Sequence, residues 1–279
     1  MSKIKILGIK IDNFKSDQIT EKLDAFILQK KPALICTPNT EFIVSAQKDS
    51  YFKEILNDTS SLNLPDGIGL LWAAKFNTLP TPKVTFVREI AIIVEWILSI
   101  LLIPLLPNLF KNPLKERITG ADFTRTIAKF AADNRLRMFL LGSAPTVAER
   151  TALQLQMEIP SLKISGVHSG KAEEASRILE AINKSRTDIL LVAFGAPKQE
   201  KWLAENLNKT KCKIGVGVGG SFDFIAGVKK RAPKWMQKSG LEWFYRLVQE
   251  PSRIKRQLAL PKFLWLVFIN KLKTHDHLL

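Results

Sequence analysis

The stretch that decides the fold is Asp188-Ile-Leu-Leu-Val-Ala-Phe-Gly-Ala-Pro-Lys-Gln-Glu-Lys-Trp-Leu-Ala-Glu-Asn-Leu-Asn-Lys-Thr-Lys-Cys-Lys-Ile-Gly-Val-Gly-Val218. Asp188–Phe194 is apolar almost throughout, without the polar alternation of a half-exposed strand, and predicts a strand buried on both faces. Pro197–Leu207 predicts a helix, and Lys213–Val218 a second buried strand. Strand–helix–strand with apolar strands is the pattern of a parallel sheet covered on both sides.

The same alternation extends outward in both directions. Lys3–Ile11 reads as a first strand rather than a secretory leader, and Ser16 as the cap of a helix to about Gln29. Ala33–Cys36 is a short strand, followed by a helical pair from Glu41 to about Asn57, then Leu62–Leu64 and the turn Pro65-Asp66-Gly67. Later come strand Arg137–Leu141, helix Thr146–Met157, strand Lys163–Val167 and helix Glu173–Asn183. The expected fold is α/β: a Rossmann-like, mostly parallel sheet with helices on both faces. Ligands of such sheets bind at the carboxyl ends of the strands.

Composition narrows the partners. Forty-two Lys and Arg against 26 Asp and Glu leave a formal charge of +16, which implies an anionic partner: phosphoesters, an acidic membrane surface or nucleic acid. The usual nucleic-acid-binding motifs are absent, and the charge sits beside long apolar runs that DNA would not use, so nucleic acid is the disfavoured reading. Two cysteines, Cys36 and Cys212, show no pairing pattern and fit a reducing, cytoplasmic setting. Homo-oligomerisation is left open.

Two segments depart from the alternation. Within residues 82–116, Ile90–Leu106 carries a single charge, Glu95. It approaches the roughly 20 apolar residues of a membrane span. Crossing would put Asp66 and the later loops on opposite sides of a bilayer, and basic residues flank the segment on both sides. An in-plane helix or shallow hairpin is therefore expected, with a buried core helix as the rival. From Lys229 onward, twelve Lys and Arg against three acidic residues supply nine of the sixteen net charges, interleaved with Trp235, Trp243, Phe244, Trp265 and other aromatics. Pro251 and Pro261 are expected to divide this tail into short amphipathic helices. The expected organisation is a core of residues 1–228, carrying the apolar insertion, and a helical appendage of residues 229–279.

Several motifs in order resemble the WecG/TagA/CpsF glycosyltransferases. They are Thr37-Pro-Asn-Thr-Glu41, Leu64-Pro-Asp-Gly-Ile-Gly69, Arg117-Ile-Thr-Gly-Ala-Asp122, Gly195-Ala-Pro-Lys-Gln-Glu200 and the glycine run Gly215–Gly227. Arg231-Ala-Pro-Lys-Trp235, Leu241-Glu-Trp-Phe-Tyr-Arg246 and Gln249-Glu-Pro-Ser-Arg253 follow. The resemblance covers most of the chain outside the apolar segment. It implies inverting transfer of an N-acetylhexosamine, with N-acetylmannosamine or its uronic acid favoured, from UDP to undecaprenyl-diphosphate-GlcNAc. Such steps build teichoic acid linkers and surface polysaccharides, at the inner face of the cell membrane. A glucosyl-type transfer to another lipid-linked acceptor is the alternative within the family.

For the site, the resemblance implies that Asp66 is the base that takes the acceptor's proton, although Pro-Asp-Gly is also an ordinary turn. It places Thr37 and Asn39 in the pocket wall; both also suit the cap of the following helix. No Asp-x-Asp and no convincing histidine cluster is present, so neither a metal nor another cofactor is expected. Arg246, Arg253 and Arg256 match the family's diphosphate-binding arginines, with a solvated basic face as the alternative, and Arg117 is a further candidate. Gly215-x-Gly217-x-x-Gly220 satisfies the dinucleotide fingerprint, but no βαβ unit continues and the region some twenty residues on is basic, which argues against NAD. Gly219 and Gly220 are instead expected near UDP, with Gln199 and Asp223 as uridine or ribose contacts.

Overall fold

The computed structural model describes residues 3–170 and 175–276. Among the described residues eight strands are present: β1 (Lys3–Ile6), β2 (Ile9–Asp12), β3 (Ala33–Cys36), β4 (Leu62–Asn63), β5 (Arg137–Gly142), β6 (Lys163–His168), β7 (Ile189–Ala193) and β8 (Ile214–Gly217). The last six form one parallel sheet in the order β4-β3-β8-β7-β5-β6. Chain connections diverge from the middle: β3 leads outward to β4, β5 leads outward to β6, and β7 and β8 return between them. That divergence opens a crevice at the carboxyl ends.

Alternation along each strand builds two cores. Leu34, Cys36, Leu190 and Val192 point to one face, where they meet the helices Thr40–Ala46, Ile68–Thr78 and Lys198–Asn206 and the last helix, Ala259–Asp276. Ala33, Ile35, Ile189, Leu191, Ile214 and Val216 point to the other, against helices Ile19–Leu28, Gly120–Asp133, Val147–Glu158 and Ser221–Ile225. The expected α/β class, with helices on both faces, is the observed one.

Several boundaries differ from expectation. Lys3–Ile11 is not one strand but an antiparallel hairpin, β1–β2, which turns at Leu7 (φ 48°) and Gly8 (φ 79°). Two positive-φ residues in a two-residue loop suit the twist of a hairpin. The hairpin lies outside the large sheet and is tied to its edge by Asn63, whose N–H donates to the buried Asp12 carboxylate at 2.8 Å. Ser16 is not a helix cap: it opens a 3-10 turn (Ser16–Gln18), and its backbone N–H donates to Glu116 at 2.8 Å. The start of the helix expected at Glu173 lies outside the described residues; its remainder is Ala175–Lys184. Pro251 does divide the tail, but Pro261 does not. It falls in the first turn of Ala259–Asp276, where a missing N–H costs no intrahelical bond.

The apolar segment forms a helix, Thr85–Leu102, followed by a turn and a short 3-10 segment, Pro107–Phe110. One side packs: Ile92 and Ser99 are buried, and the Trp72 indole donates to Ser99 at 2.9 Å. Trp96 also faces inward; its indole N–H donates to the Leu264 carbonyl at 3.1 Å and its ring lies 5.2 Å from that of Phe268. The opposite side exposes Phe86, Ile90, Ile93, Val94, Ile97, Leu98 and Leu101. The helix is thus neither wholly core nor free of the core. Among the described residues no helix is long and apolar enough to cross a membrane.

The last helix belongs to the packed body. Phe263, Val267 and Phe268 join the first core, and the buried Lys271 donates to the carbonyl of Phe76 at 2.7 Å. Lys271 also pairs with Glu95 at 2.9 Å, which accounts for the lone charge in the apolar stretch.

Candidate active site

The crevice is a cavity of about 500 Å³ at the carboxyl ends of β3, β4, β7 and β8, closed on one side by the tail. All eleven candidate residues line it: Thr37, Asn39, Asp66, Arg117, Gln199, Gly219, Gly220, Asp223, Arg246, Arg253 and Arg256. Ten of them come from seven separate motifs, Arg256 lies three residues beyond the last, and the strand ends and the tail bring them together.

Asp66 follows β4 by three residues and is fixed from three sides. Its N–H donates to the Pro38 carbonyl at 2.8 Å, the Ile118 N–H donates to the neighbouring Pro65 carbonyl at 2.9 Å, and its carboxylate accepts from the Gly120 N–H at 3.4 Å. The helix Ile68–Thr78 begins just beyond it. Burial pushes the Asp66 carboxyl up to about 6; the nearby Glu242 pushes in the same direction, while Arg246, Arg117 and the Gly120 amide pull it down. A carboxylate that titrates near 6 is ionised at neutral pH yet basic enough to accept a hydroxyl proton.

Thr37 directly follows β3, and its hydroxyl donates to the Gly217 carbonyl at 3.4 Å. Asn39 is a cap as well as a wall residue: its side-chain oxygen accepts from the Phe42 N–H at 3.1 Å at the start of Thr40–Ala46. Asn39 thus lines the cavity and caps the helix. Pro197 takes the cap position before Lys198–Asn206, and two residues on, in the first turn, Gln199 joins two loops. Its side-chain oxygen accepts from the N–H of Gly195 at 3.1 Å and of Gly219 at 3.0 Å. Its amide in turn donates to Glu200 at 2.6 Å. A Cβ on Gly217 would lie 2.5 Å from Glu200 and 2.7 Å from Gln199, so a larger residue where β8 passes would displace this hydrogen-bonded pair. Glu200 is fully buried, and burial pushes its carboxyl up to about 7.

Cationic groups gather on the tail side. Arg246 donates to Glu242 at 2.8 Å and lies 4.5 Å above the Phe224 ring. Arg253 donates to Glu250 at 3.3 Å, and Arg256 makes a two-pronged pair with Glu41 at 2.8 and 2.9 Å. Burial holds the Arg253 guanidinium below its ordinary pKa, with Arg256 and Arg246 adding like-charge repulsion. The Nε–H groups of Arg246 and Arg253 are buried and have no acceptor among the described residues. A cation cluster short of acceptors and repelling itself is suited to a polyanion. Arg117 lies near enough to Asp66 to lower its pKa.

Some functional neighbours escaped the sequence reading. Lys229 joins Asp223 (2.9 Å) to Glu250 (3.1 Å), and Ser143 donates to Asp223 at 3.4 Å. Arg231 clamps the Thr119–Asp122 turn, donating to the Asp122 carboxylate at 2.8 Å and to the Thr119 hydroxyl at 3.0 Å. Glu242 sits between Arg231 and Arg246. The four-residue spacing of Glu242 and Arg246 was a readable signal for their pairing; the partners of Lys229 and Arg231 were not.

A doubly wound sheet whose crevice combines a carboxylate, glycine loops and an arginine cluster is an arrangement suited to group transfer. The chain belongs to the glycosyl transferase WecG/TagA/CpsF family, which it matches over residues 4–97 and 99–277, and it is a glycosyltransferase. The match runs through the apolar segment and omits only residue 98, so the likeness does not stop at residues 82–116 as expected. Relatives include an N-acetylglucosaminyldiphosphoundecaprenol N-acetyl-beta-D-mannosaminyltransferase of Bacillus subtilis (strain 168), 31% identical over 238 residues, 85% of this chain and 80% of the relative. Proteins of the same name from Staphylococcus aureus (strain MRSA252), 28% identical over 274 residues (98% and 94%), and Bacillus spizizenii, 27% identical over 263 residues (94% and 88%), are also similar.

Proposed function

We propose that this enzyme transfers N-acetylmannosamine, or a close N-acetylhexosamine, from UDP to a polyprenyl-diphosphate-linked GlcNAc at the cytoplasmic membrane surface, in teichoic acid or surface-polysaccharide synthesis. The observation that carries the reading is the meeting of Asp66 with Arg246, Arg253 and Arg256 in one cavity. Asp66 takes the proton of the GlcNAc hydroxyl as its oxygen attacks the anomeric carbon. The C–O bond to UDP breaks on the opposite face, which inverts the configuration. The arginines meet the charge that grows on the departing diphosphate, a role that bound metal fills in other glycosyltransferases. Gln199, through the Gly195 and Gly219 loops, and Asp223 shape the nucleotide end, and Thr37 and Asn39 the sugar end.

Association with the membrane is part of the proposal. The exposed face of Thr85–Leu102, together with Trp265, Leu258 and Ile254 near the basic groups of the tail, supports an in-plane seat on anionic lipid. A screen of UDP-sugars against a lipid-diphosphate-GlcNAc, read by product mass and repeated in EDTA, tests the reading. Transfer of N-acetylmannosamine, undiminished by the chelator, is expected; transfer of no sugar to this acceptor would refute it.

A further inference from the structure

The cavity is not polar throughout. Beyond the arginines its lining turns aliphatic, with Ile100, Ile103 and Pro104 from one side and Leu260 and Leu264 from the last helix. Along the tail, Arg253, Arg256, Leu260 and Leu264 come from the consecutive helical segments Pro251–Arg253, Ile254–Gln257 and Ala259–Asp276, and all four line the cavity, so its lining passes from guanidinium to hydrocarbon. The two aliphatic sides are fastened to each other by the bond from Trp96 to the Leu264 carbonyl. All five side chains remain partly exposed, although they line a concave site rather than an outer surface. A nucleotide sugar carries no hydrocarbon chain to lay along such a wall. Outward from it, Ile97, Leu101 and Leu258 continue the apolar character at 47%, 61% and 60% exposure.

We propose that this wall is a subsite for the first isoprene units of the acceptor's lipid. The proposal rests on the reading of the acceptor as a polyprenyl-diphosphate-linked sugar. With the acceptor's sugar at Asp66, the lipid leaves the site past Leu260 and Leu264 and emerges at the apolar face of Thr85–Leu102. The wall thereby selects for an isoprenoid at the acceptor's diphosphate and sets the direction in which the lipid returns to the bilayer.

The test compares GlcNAc-diphosphate carried on a single isoprene unit with the same headgroup on a long polyprenyl chain, in detergent micelles so that no bilayer takes part. The wild type should favour the long acceptor in kcat/KM, and Leu260→Gln should lower that preference about tenfold, the worth of one apolar side chain's burial. Leu260 is partly exposed, so the variant should melt with the wild type. A long-chain diphosphate bearing a benzophenone near its first isoprene unit gives a readout independent of the variant. Cross-links within residues 100–104 or 258–264 support the subsite, and cross-links only elsewhere overturn it. Equal use of both acceptors by the wild type overturns the subsite while transfer to lipid diphosphates stands. Transfer to neither acceptor overturns the proposed function and the subsite with it.

Discussion

The side-chain oxygen of Gln199 accepts the Gly219 N–H at 3.0 Å, and the same atom accepts the Gly195 N–H at 3.1 Å. One residue thus holds together the loops that follow β7 and β8, the two central strands of the sheet. Gln199→Ala would leave both amides without an acceptor, at about 1–3 kcal/mol each. A fall in kcat/KM of about 10–100-fold is expected, expressed mainly in the KM for the donor. Unchanged donor kinetics would remove Gln199 from the nucleotide end of the site.

Glu200, next in sequence, carries a carboxyl pushed by burial from 4.5 to about 7, and one of its oxygens is buried without a side-chain partner among the described residues. Because the folded-state pKa lies above the unfolded one, the folded protein binds the extra proton. Stability is then greatest below about 4.5 and declines as pH rises toward 7. Glu200→Gln keeps an acceptor for Gln199 without the ionisation, so its stability should lack this decline and exceed that of the wild type at pH 8 by up to about 3 kcal/mol. Denaturant titrations across the range check it; parallel pH profiles of the two proteins would show that Glu200 does not titrate as described.

The arginines should behave as one unit. Lysine in place of Arg246, Arg253 or Arg256 keeps the charge but loses the fork that grips two phosphate oxygens. Each single change should lower kcat about 10–100-fold, and a double change should cost less than the product of the two. Strictly multiplicative losses would mean that the three do not share one diphosphate. Point changes suit this question better than removal of residues 229–279, which would also strip Phe263 and Val267 from the core.

Ile93, Ile97 and Leu101 are 43%, 47% and 61% exposed on the outer side of Thr85–Leu102. Replacing all three with Ser should lower binding to anionic vesicles severalfold and leave the melting temperature nearly unchanged, whereas Trp96→Ser should lower the melting temperature. A large loss of stability in the triple variant, with vesicle binding intact, would assign this face to the core instead.

Much of this architecture was legible because the signals were local. The apolar runs of β5, β7 and β8 could be read without knowing their neighbours, and local motifs after β3, β4, β7 and β8 and in the tail contained residues that line the cavity. The hairpin at Leu7-Gly8 was hidden because leucine seldom takes positive φ, so the run to Ile11 read as one strand. Pro261 misled because a proline breaks a helix only beyond its first turn. The clamp of Arg231 on Asp122 spans more than a hundred residues, and Glu242 approaches Asp66 only once the tail folds over the crevice. Such pairings are fixed by the fold as a whole, and no spacing in the chain announces them.

The most direct test of the account is the pH dependence of sugar transfer in the wild type and in Asp66→Asn. The wild-type kcat/KM should rise with pH through an apparent pKa of about 6 and then level off, because burial holds the Asp66 carboxyl there and only its ionised form accepts the proton. Asp66→Asn should bind UDP as the wild type does, turn over roughly 10²–10⁴-fold more slowly, and lack the limb near 6. A variant that transfers sugar at the wild-type rate, or that keeps the same limb, would contradict the assignment of Asp66 as the base.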